Sequence, residues 1–524
     1  MAQNSSGIGE RPKLLRPSVI KSEGRTASER YLAKLAEKSF LNLWSYPNPY
    51  RDQRQGATDK GNGKELCDLL AVCGKHVIIF SEKTVGWPGG DIGTAWRRWA
   101  SKAIRDSAKQ TKGAERWISE FPGRLFLDPN CTDPFPIDLP PEELRQVHRV
   151  VVANGSAKPC RKHTRSSSGS LIIRPGVKGD RHWTDRCGEP EPFVIGDVDP
   201  DGSFVHVFNE AALEIVMDEL DTVADFAGYL AKKAAFVRSG DLVEAHGEEN
   251  LLAYYAIRIN DDGDHDFVVE DGKVPISIDH RRYDKFVIDP QYQARKFANE
   301  ISYLWDRLIR RFTNHLLDGT SIMPEGLDFD LHKLELGVRQ MALVPRFFRR
   351  LHSEAIADAL DRGKHDDRFV RVIMNPTGEK ASETAFFFQT MKYLDWMEAE
   401  GGYDGYRKSR SALAMIYALG LLERHSHLGR VVGISCEPPD QGRGSSEDLV
   451  YAEQNDWTDQ EREEIQNDCK AADVFQNMNE HPIRGQEFPE HAVVMFESLD
   501  PAPPNSRLNR KRRRALKAQA RKRK

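Results

Sequence analysis

The sequence of 524 residues contains little cysteine and no long hydrophobic run. Its seven cysteines, an odd number, argue against a disulfide scaffold and indicate a reducing compartment. The most apolar run, Ser411–Leu422, is too short to span a bilayer, so we expect no membrane-spanning helix. The first residues lack the hydrophobic segment of a secretory signal. We therefore expect a cytoplasmic protein, or a nuclear one if the host is eukaryotic.

Motifs that identify several large enzyme classes are also missing. The sequence has no phosphate-binding P-loop, GxGxxG, HExxH or GxSxG pattern. Nucleotide-driven, dinucleotide-dependent, zincin and α/β-hydrolase activities therefore have no support. The hydrophobic content of 39% is nevertheless sufficient for folded cores, and the length predicts two to three domains.

Two constellations suggest metal sites but have the wrong spacing. Cys160–His163 and His182–Cys187 offer two cysteines and two histidines, yet their spacing fits no standard zinc finger, so we expect no zinc. Asp197–Gly202 begins like a calcium loop but lacks the bidentate acid. Its Asp-Gly pair instead predicts a hairpin turn between the strands Phe193–Ile195 and Phe204–Val207.

The charge of the chain is unevenly distributed. Residues 506–524 contain 11 Lys or Arg and no acidic residue. Without this tail, 65 basic residues stand against 80 acidic ones, so the rest of the chain carries about −15. A basic tail of this kind suits the phosphate backbone of a nucleic acid, although it also fits a solvated tail that keeps the protein soluble.

The pattern along the chain predicts an α/β fold. It consists of an N-terminal mixed sheet flanked by helices, followed by α+β and mainly helical regions. We expect a disordered N-terminus (1–27), a first domain (28–130), a mixed β-rich and helical region (131–275), a mainly helical α/β region (276–440), an acidic linker-like segment (441–505) and a basic disordered tail (506–524).

The most informative stretch is Gly63–Lys83, GKELCDLLAVCGKHVIIFSEK. It predicts two strands, Leu66–Val72 and Val77–Ser81, between a helix over Ser28–Trp44 and a long helix over Ala95–Phe121. Asp68 lies in the first strand, and the second ends in Ser-Glu-Lys. This order resembles the PD-(D/E)XK nuclease superfamily, which is restriction-endonuclease-like, and its nuclease-related and Mrr-like branches. The resemblance covers about 95 residues of the N-terminal module.

The resemblance implies a site that hydrolyses phosphodiester bonds with Mg²⁺ or Mn²⁺. Carboxylates that hold such a cation neutralise charge on phosphate and help to generate hydroxide. The metal-ligand candidates are Asp68 and Glu82, joined by Glu37 from the first helix, with Glu29 as the weaker choice. Lys83 would act on the attacking water, and Gln110 corresponds to a glutamine that some branches place near the site.

The sequence departs from the family pattern at one position. The acid should stand two residues before the lysine on the same face of the strand, but Ser81 occupies that position. Either a bulge turns Glu82 towards the site, or the acid comes from the next segment, as Asp91 or Asp106. If neither holds, the site is degenerate.

We expect an Mg²⁺-dependent endonuclease that binds DNA, or RNA, and acts in restriction, defence or repair. The first alternative is a non-catalytic nucleic-acid-binding protein with a degenerate nuclease fold. The second is an interaction protein with no nucleic-acid role.

Overall fold

A computed structural model describes residues 19–53, 63–184, 190–269, 274–318, 331–374, 383–441, 447–476, 478–479 and 485–489. The basic tail and most of the N-terminal 27 residues lie outside these ranges. Within them the protein is a mixed α/β fold, as the sequence predicts.

Runs of strands and runs of helices follow one another along the chain, with the strands of residues 45–84 and the helices of residues 282–363 as the longest runs. The α-helices, in chain order, are α1 (Ala27–Trp44), α2 (Ile92–Ala100), α3 (Asp106–Glu120), α4 (Ala157–Thr164), α5 (Glu210–Glu219), α6 (Val223–Ser239), α7 (Glu248–Ala256), α8 (Arg282–Ile288), α9 (Pro290–Ala298), α10 (Tyr303–Asp318), α11 (Leu331–Ala342), α12 (Arg346–Gly363), α13 (Gly402–Arg424) and α14 (Asp459–Ala471). The strands are β1 (Ser45–Pro47), β2 (Tyr50–Asp52), β3 (Gly63–Glu65), β4 (Leu69–Cys73), β5 (His76–Thr84), β6 (Leu125–Phe126), β7 (Gln146–Asn154), β8 (Ile172–Lys178), β9 (Val194–Asp197), β10 (Val205–Phe208), β11 (Leu242–Ala245), β12 (Ile276–Ile278), β13 (Arg368–Ile373), β14 (Thr384–Met391), β15 (Arg430–Cys436) and β16 (Asp448–Glu453).

The first sheet has the strand order β1-β4-β5-β7-β10. Strands β1, β4 and β5 pair antiparallel, whereas β5, β7 and β10 run parallel. Strand β4 is buried along its whole length, which fits its unbroken apolar sequence Leu69–Cys73. The carboxyl ends of β5 and β7 therefore meet at one edge of the sheet, which carries the residues discussed below.

Helices on both sides cover this sheet. Helix α1 begins one residue before the predicted start, and its N-cap is Thr26. The long helix predicted over Ala95–Phe121 is present as α2 and α3, joined by a π-helical turn over Ser101–Arg105. Helix α3 packs against β5 and β7, and α1 packs against β1 and β4. Because π-turns often occur at functional sites, this interruption next to the sheet edge is notable.

Three expectations about the organisation of the chain differ from the structure. The sheet includes β7 and β10, so it extends beyond residue 130, the boundary drawn for the first domain. The predicted hairpin at Asp201–Gly202 is wrong, because β9 pairs with β8 and β10 pairs with β7. The segment 441–505 is not simply a linker, since its described part includes β16 and α14.

The apolar core is continuous from the first sheet into the later helices. One large cluster of buried side chains extends from α1 through the first two sheets to α10, α12 and β15. Trp44 of α1 donates its indole N–H to Glu335 of α11 at 2.6 Å, which ties the N-terminal module to the helical region. A second sheet has the order β12-β11-β8-β9, a third β13-β14-β15-β16 and a small one β3-β2-β6.

Candidate functional site

Asp68 lies directly before β4, where β4 and β5 stop pairing. Its carboxylate oxygen Oδ2 accepts the backbone N–H of Glu82 at 2.6 Å. The side-chain oxygen of Asp68 therefore replaces the backbone carbonyl that would accept the N–H of Glu82 in a regular β-ladder. Because strand hydrogen bonds lie in the plane of a sheet, this carboxylate sits at the edge of β5, next to both of its faces.

One face of β5, which we call the carboxylate face, carries Glu82 and contacts α1. The Oε2 atom of Glu82 accepts the hydroxyl of Ser28 at 2.8 Å. Its Oε1 atom accepts the side-chain amide of Asn154 at 2.6 Å and the hydroxyl of Thr84 at 2.7 Å. The Glu82 carboxylate is thus held by donors from α1, β5 and β7.

Two more carboxylates lie close to Asp68. The side-chain amide of Asn48 donates to Glu29 at 3.0 Å and to Glu65 at 2.9 Å. The backbone N–H of Asn48 donates to the carbonyl of Asp68 at 3.0 Å. Arg25 forms an ion pair with Glu65. Asn48 therefore connects Glu29 and Glu65 to the strand end that carries Asp68.

The opposite face of β5, which we call the lysine face, contacts α3. The hydroxyl of Ser81 donates to the side-chain oxygen of Gln110 at 3.0 Å. The ammonium of Lys83 lies 3.8 Å from the carboxylate of Asp106, one turn before Gln110 on α3. Both side chains are exposed. The structure thus brings together Ser81, Lys83, Asp106 and Gln110.

Strand β5 separates the candidates into two groups. It pairs with β7 without a register shift up to Thr84, so the bulge that would turn Glu82 towards Lys83 is absent and that expectation is wrong. Of the two alternative acids, Asp91 caps α2 by accepting the N–H of Thr94 at 2.9 Å. Asp106, by contrast, lies beside Lys83. The structure therefore favours Asp106 over Asp91 as the acid on the lysine face.

The acid of α1 that lies near Asp68 is Glu29 rather than Glu37. Glu37 is exposed and lies eight residues further along α1, about 12 Å at the rise of an α-helix. It interacts electrostatically with Lys21, the pKa of which burial lowers to about 7 against the opposing effect of Glu37. Glu29 acts electrostatically on Asp68. The preference that the sequence suggested between these two acids is thus reversed.

The electrostatics around Asp68 are dominated by negative charge. The pKa of Asp68 is raised to about 7, chiefly by burial; the hydrogen bond from Glu82 lowers it, and the nearby carboxylates of Glu65, Glu29 and Glu82 contribute to the rise. Burial also raises the pKa of Glu29, but hydrogen bonds from Asn48 and the backbone outweigh it and leave that pKa below its ordinary value. A cation at Asp68 would relieve this repulsion.

The carboxylates fit a hard divalent cation in kind but not in arrangement. Oxygen ligands suit Mg²⁺ and Mn²⁺. Yet within the described ranges no three His, Cys, Asp or Glu side chains form a group that could hold a metal ion. The reason is visible in the geometry, because Glu82 is held on the carboxylate face and Asp106 on the lysine face. Asp68 is bonded to the backbone of Glu82 at the strand edge, and the carboxylates that act on it electrostatically are Glu65, Glu29 and Glu82.

Several residues of the site have no clear signal in the sequence: Ser28, Asn48, Glu65 and Asn154. Their roles depend on contacts between distant segments. Asn154 alone has a weak signal in the sequence, because a glycine, Gly155, follows it directly after a strand. Gly155 has a φ of +105°, and a Cβ there would lie 2.1 Å from the carbonyl oxygen of Val85. Only glycine allows β7 to end so close to the end of β5.

Cys160 and His182, which the sequence suggests as zinc ligands, have hydrogen-bond partners within the protein. Cys160 is buried and its thiol donates to the carbonyl of Ser170 at 3.3 Å. His182 is also buried; one ring nitrogen lies 2.6 Å from the carbonyl of Gly179 and the other accepts the N–H of Gly196 at 2.9 Å. Cys187 lies outside the described residues.

Comparisons with known proteins add no assignment. The chain matches no protein-family model, no curated protein and no solved structure. Among the helices in the described ranges, none is both long and apolar enough to cross a membrane.

Proposed function

We propose that this protein is a nuclease that hydrolyses phosphodiester bonds of DNA with the help of Mg²⁺ or Mn²⁺. The observation that carries the proposal is the position of the Asp68 carboxylate at the edge of β5, bonded to the backbone of Glu82 at 2.6 Å. A helix, a strand preceded by this aspartate, a hairpin, a strand ending in Glu-Lys and a further helix follow in the order typical of the family that the sequence resembles.

The proposed roles follow from the two faces of β5. Asp68 would bind the cation, together with Glu82 on one face or Asp106 on the other. When bound, the cation would neutralise charge on the phosphate and lower the pKa of a bound water. Lys83 would orient the attacking water and stabilise the developing charge. Gln110 would keep the hydroxyl of Ser81 in place, as it does through their hydrogen bond.

A second candidate function is non-catalytic binding of nucleic acid. The observation that favours it is that both carboxylate oxygens of Glu82 accept hydrogen bonds from protein donors. In addition, Ser81 occupies the position of the family's acid. In that case the fold would keep its surface for nucleic acid after losing metal-dependent hydrolysis. The basic tail over 506–524 would add salt-sensitive affinity for phosphate under either proposal.

The first test is cleavage of DNA by purified protein with Mg²⁺, with Mn²⁺ and with EDTA. We expect metal-dependent cleavage that Asp68→Ala lowers by about 100-fold or more, a typical loss when a stabilising group in an active site is removed. Binding of DNA to this variant should be unchanged or slightly tighter, because a negative charge has been removed. Wild-type protein that binds DNA but cleaves neither single- nor double-stranded substrates would support the second candidate.

A pair of isosteric variants then decides which face supplies the second acid. If Glu82 is the partner of Asp68, Glu82→Gln should lose activity and Asp106→Asn should keep most of it. If the acid has moved to the lysine face, the result should be reversed. Glu120→Gln, near the other end of α3, is the matched control and should retain full activity.

A further inference from the structure

The helices next to the proposed site carry a dense positive charge. Residues 92–113 contain six Lys or Arg and one acid, Asp106. On α2, the π-turn and α3, the side chains of Arg98, Lys102 and Lys109 are exposed, and none forms an ion pair with a described carboxylate. Their spacing of four and seven residues places them along one side of the helix. They therefore form an uncompensated cationic stripe about 16 Å long, at 1.5 Å per residue.

Helix α4 brings further cations to the same edge. It starts directly after β7, whose last residue, Asn154, donates to Glu82. Lys158 and Lys162 are exposed and lie one turn apart on this helix. The two helices meet around Phe193, whose ring lies 5.5 Å from Trp96 of α2 and 5.4 Å from His163 of α4.

The stripe also borders the lysine face of the site. Lys102 and Lys109 each lie within one helical turn of Asp106, whose carboxylate is 3.8 Å from Lys83. The acidic groups on this edge include Glu29, Glu65, Asp68 and Glu82 at the end of the sheet, Asp106 on α3, Asp91 at the start of α2, and Glu210, which accepts the backbone N–H groups of Gly155 and Ala157 at the start of α4. The cations of α2, the π-turn, α3 and α4 thus flank these carboxylates, an arrangement that can hold a polyanion against them.

The aromatic residues of the same helix are not available to stack on bases. Trp96 and Trp99 of α2 are both fully buried. Tyr31, an exposed aromatic of α1, lies near the acids Glu214 and Asp218 instead. Proteins that bind single strands without sequence preference combine cations with exposed aromatic platforms. Cations alone contact the phosphates and read no bases.

From these observations we infer that Arg98, Lys102 and Lys109, with Lys158 and Lys162, form a phosphate-binding face that holds double-stranded DNA across the Asp68 site without reading its sequence. This inference rests on the proposed function for the nature of the substrate, and it assigns the substrate's strandedness and the residues that bind it. The face does not require that the site be catalytically active.

The test is binding of full-length protein in EDTA to a labelled DNA duplex and to one of its single strands, over a range of salt concentrations. We expect tighter binding to the duplex, with equal affinity for duplexes of different sequence. The variant R98Q/K102Q/K109Q should lower the slope of log K against log salt by about two to three, at about 0.9 per phosphate contact, and weaken binding at least about tenfold. The variant K158Q/K162Q should lower the slope of log K against log salt by about one to two.

The matched control is R307Q/K285Q/K470Q, which removes the same charge from exposed positions on α10, α8 and α14. It keeps the basic tail and the net charge equal to those of the test variant. A test variant that binds the duplex as tightly as this control, or wild type that binds the single strand as tightly as the duplex, would overturn the inference. Both variants should melt like wild type, since all six side chains are exposed.

The outcome can be separated from that of the proposed function. If the duplex binds as expected but Mg²⁺ and Mn²⁺ support no cleavage, the phosphate-binding face stands and the catalytic proposal fails. If the test variant cleaves and binds like the control, the face is wrong and the catalytic proposal stands.

Discussion

Asp306, which is buried, and Asp68, which is half-buried, have opposite surroundings in different parts of the molecule. Asp306, on α10, lies 2.9 Å from Arg346 and 2.5 Å from Arg349. Burial would raise the pKa of Asp306, but these guanidinium groups outweigh it and hold the pKa below its ordinary value. Asp68, in the first sheet, has carboxylates as its charged neighbours, and burial raises its pKa to about 7.

The same contrast holds against other acids of the molecule. Arginine accompanies several acids that are largely shielded from solvent, as Arg410 does Asp448, Arg295 does Glu219 and Arg149 does Asp199. A buried acid with its own arginine is a stable structural unit, whereas grouped acids without one weaken the fold unless something else binds there. Uncompensated charge, rather than buried charge as such, therefore distinguishes the candidate site from the scaffold.

The largest expected effect on stability comes from breaking the ion pairs that Asp306 forms with arginine. Asp306→Asn leaves the buried guanidinium of Arg349 without its carboxylate and that of Arg346 with Asp221 alone, and should lower the free energy of unfolding by about 3–5 kcal/mol. Asp68→Asn keeps an acceptor for the N–H of Glu82 and removes repulsion, so stability should be unchanged or higher. Denaturant unfolding of both variants at neutral pH measures the difference. Equal destabilisation by the two substitutions would contradict the comparison.

A smaller effect concerns another uncompensated group of the first sheet, the buried histidine His206 on β10. Its Nδ1 has no hydrogen-bond partner among the described residues, and burial lowers its pKa well below the ordinary 6.5. The unfolded chain takes up a proton near pH 6.5 and the folded protein does not. The free energy of unfolding therefore falls as the pH drops below about 6.5, by about 2 kcal/mol at pH 5 for this residue.

Removing this histidine should flatten the pH dependence. His206→Phe replaces the histidine by a side chain of similar size. Between pH 8 and pH 5, we expect the free energy of unfolding of this variant to fall by about 2 kcal/mol less than that of wild type. His365→Gln, at an exposed position after α12, serves as the control and should keep the wild-type slope. A variant with an unaltered slope would show that His206 does not contribute to acid sensitivity.

The smallest effect on stability belongs to the exposed pair of Lys83 and Asp106. The two groups are 3.8 Å apart and largely exposed, so Lys83→Met should change the free energy of unfolding by less than about 0.5 kcal/mol. Cleavage by this variant should nevertheless slow by about 100-fold if Lys83 acts on the attacking water. Thermal melts and single-turnover rates measure the two effects. Loss of stability together with activity would instead assign Lys83 a structural role.

The local elements of the first module could be predicted from sequence because their signals are local. Apolar periodicity and turn residues predict two strands within Gly63–Lys83, with one helix before this segment and one after it. The structure contains these elements, with ends shifted by a few residues. The shift at β4 matters, since Asp68 falls just outside the strand rather than inside it. The π-turn within the long helix has no comparable signal.

Pairing between distant segments could not be predicted in the same way. The Asp-Gly turn after β9 suggested a hairpin, but β9 and β10 join different sheets because each finds a parallel partner further back in the chain. The choice between Glu29 and Glu37 depended on which turn of α1 faces the end of β4. Ser28, Asn48 and Asn154 became part of the site only through such contacts.

Local spacing and side-chain chemistry are sufficient to identify the chemical groups of this protein: an aspartate at one strand, a Glu-Lys pair at the end of the next, and helices rich in lysine and arginine. The separation of Glu82 from Lys83 by β5, and the bond of Asp68 to the edge of that strand, depend on tertiary packing. Alternate residues of a regular strand point to opposite sides, so the helices packed on those sides determine which groups meet.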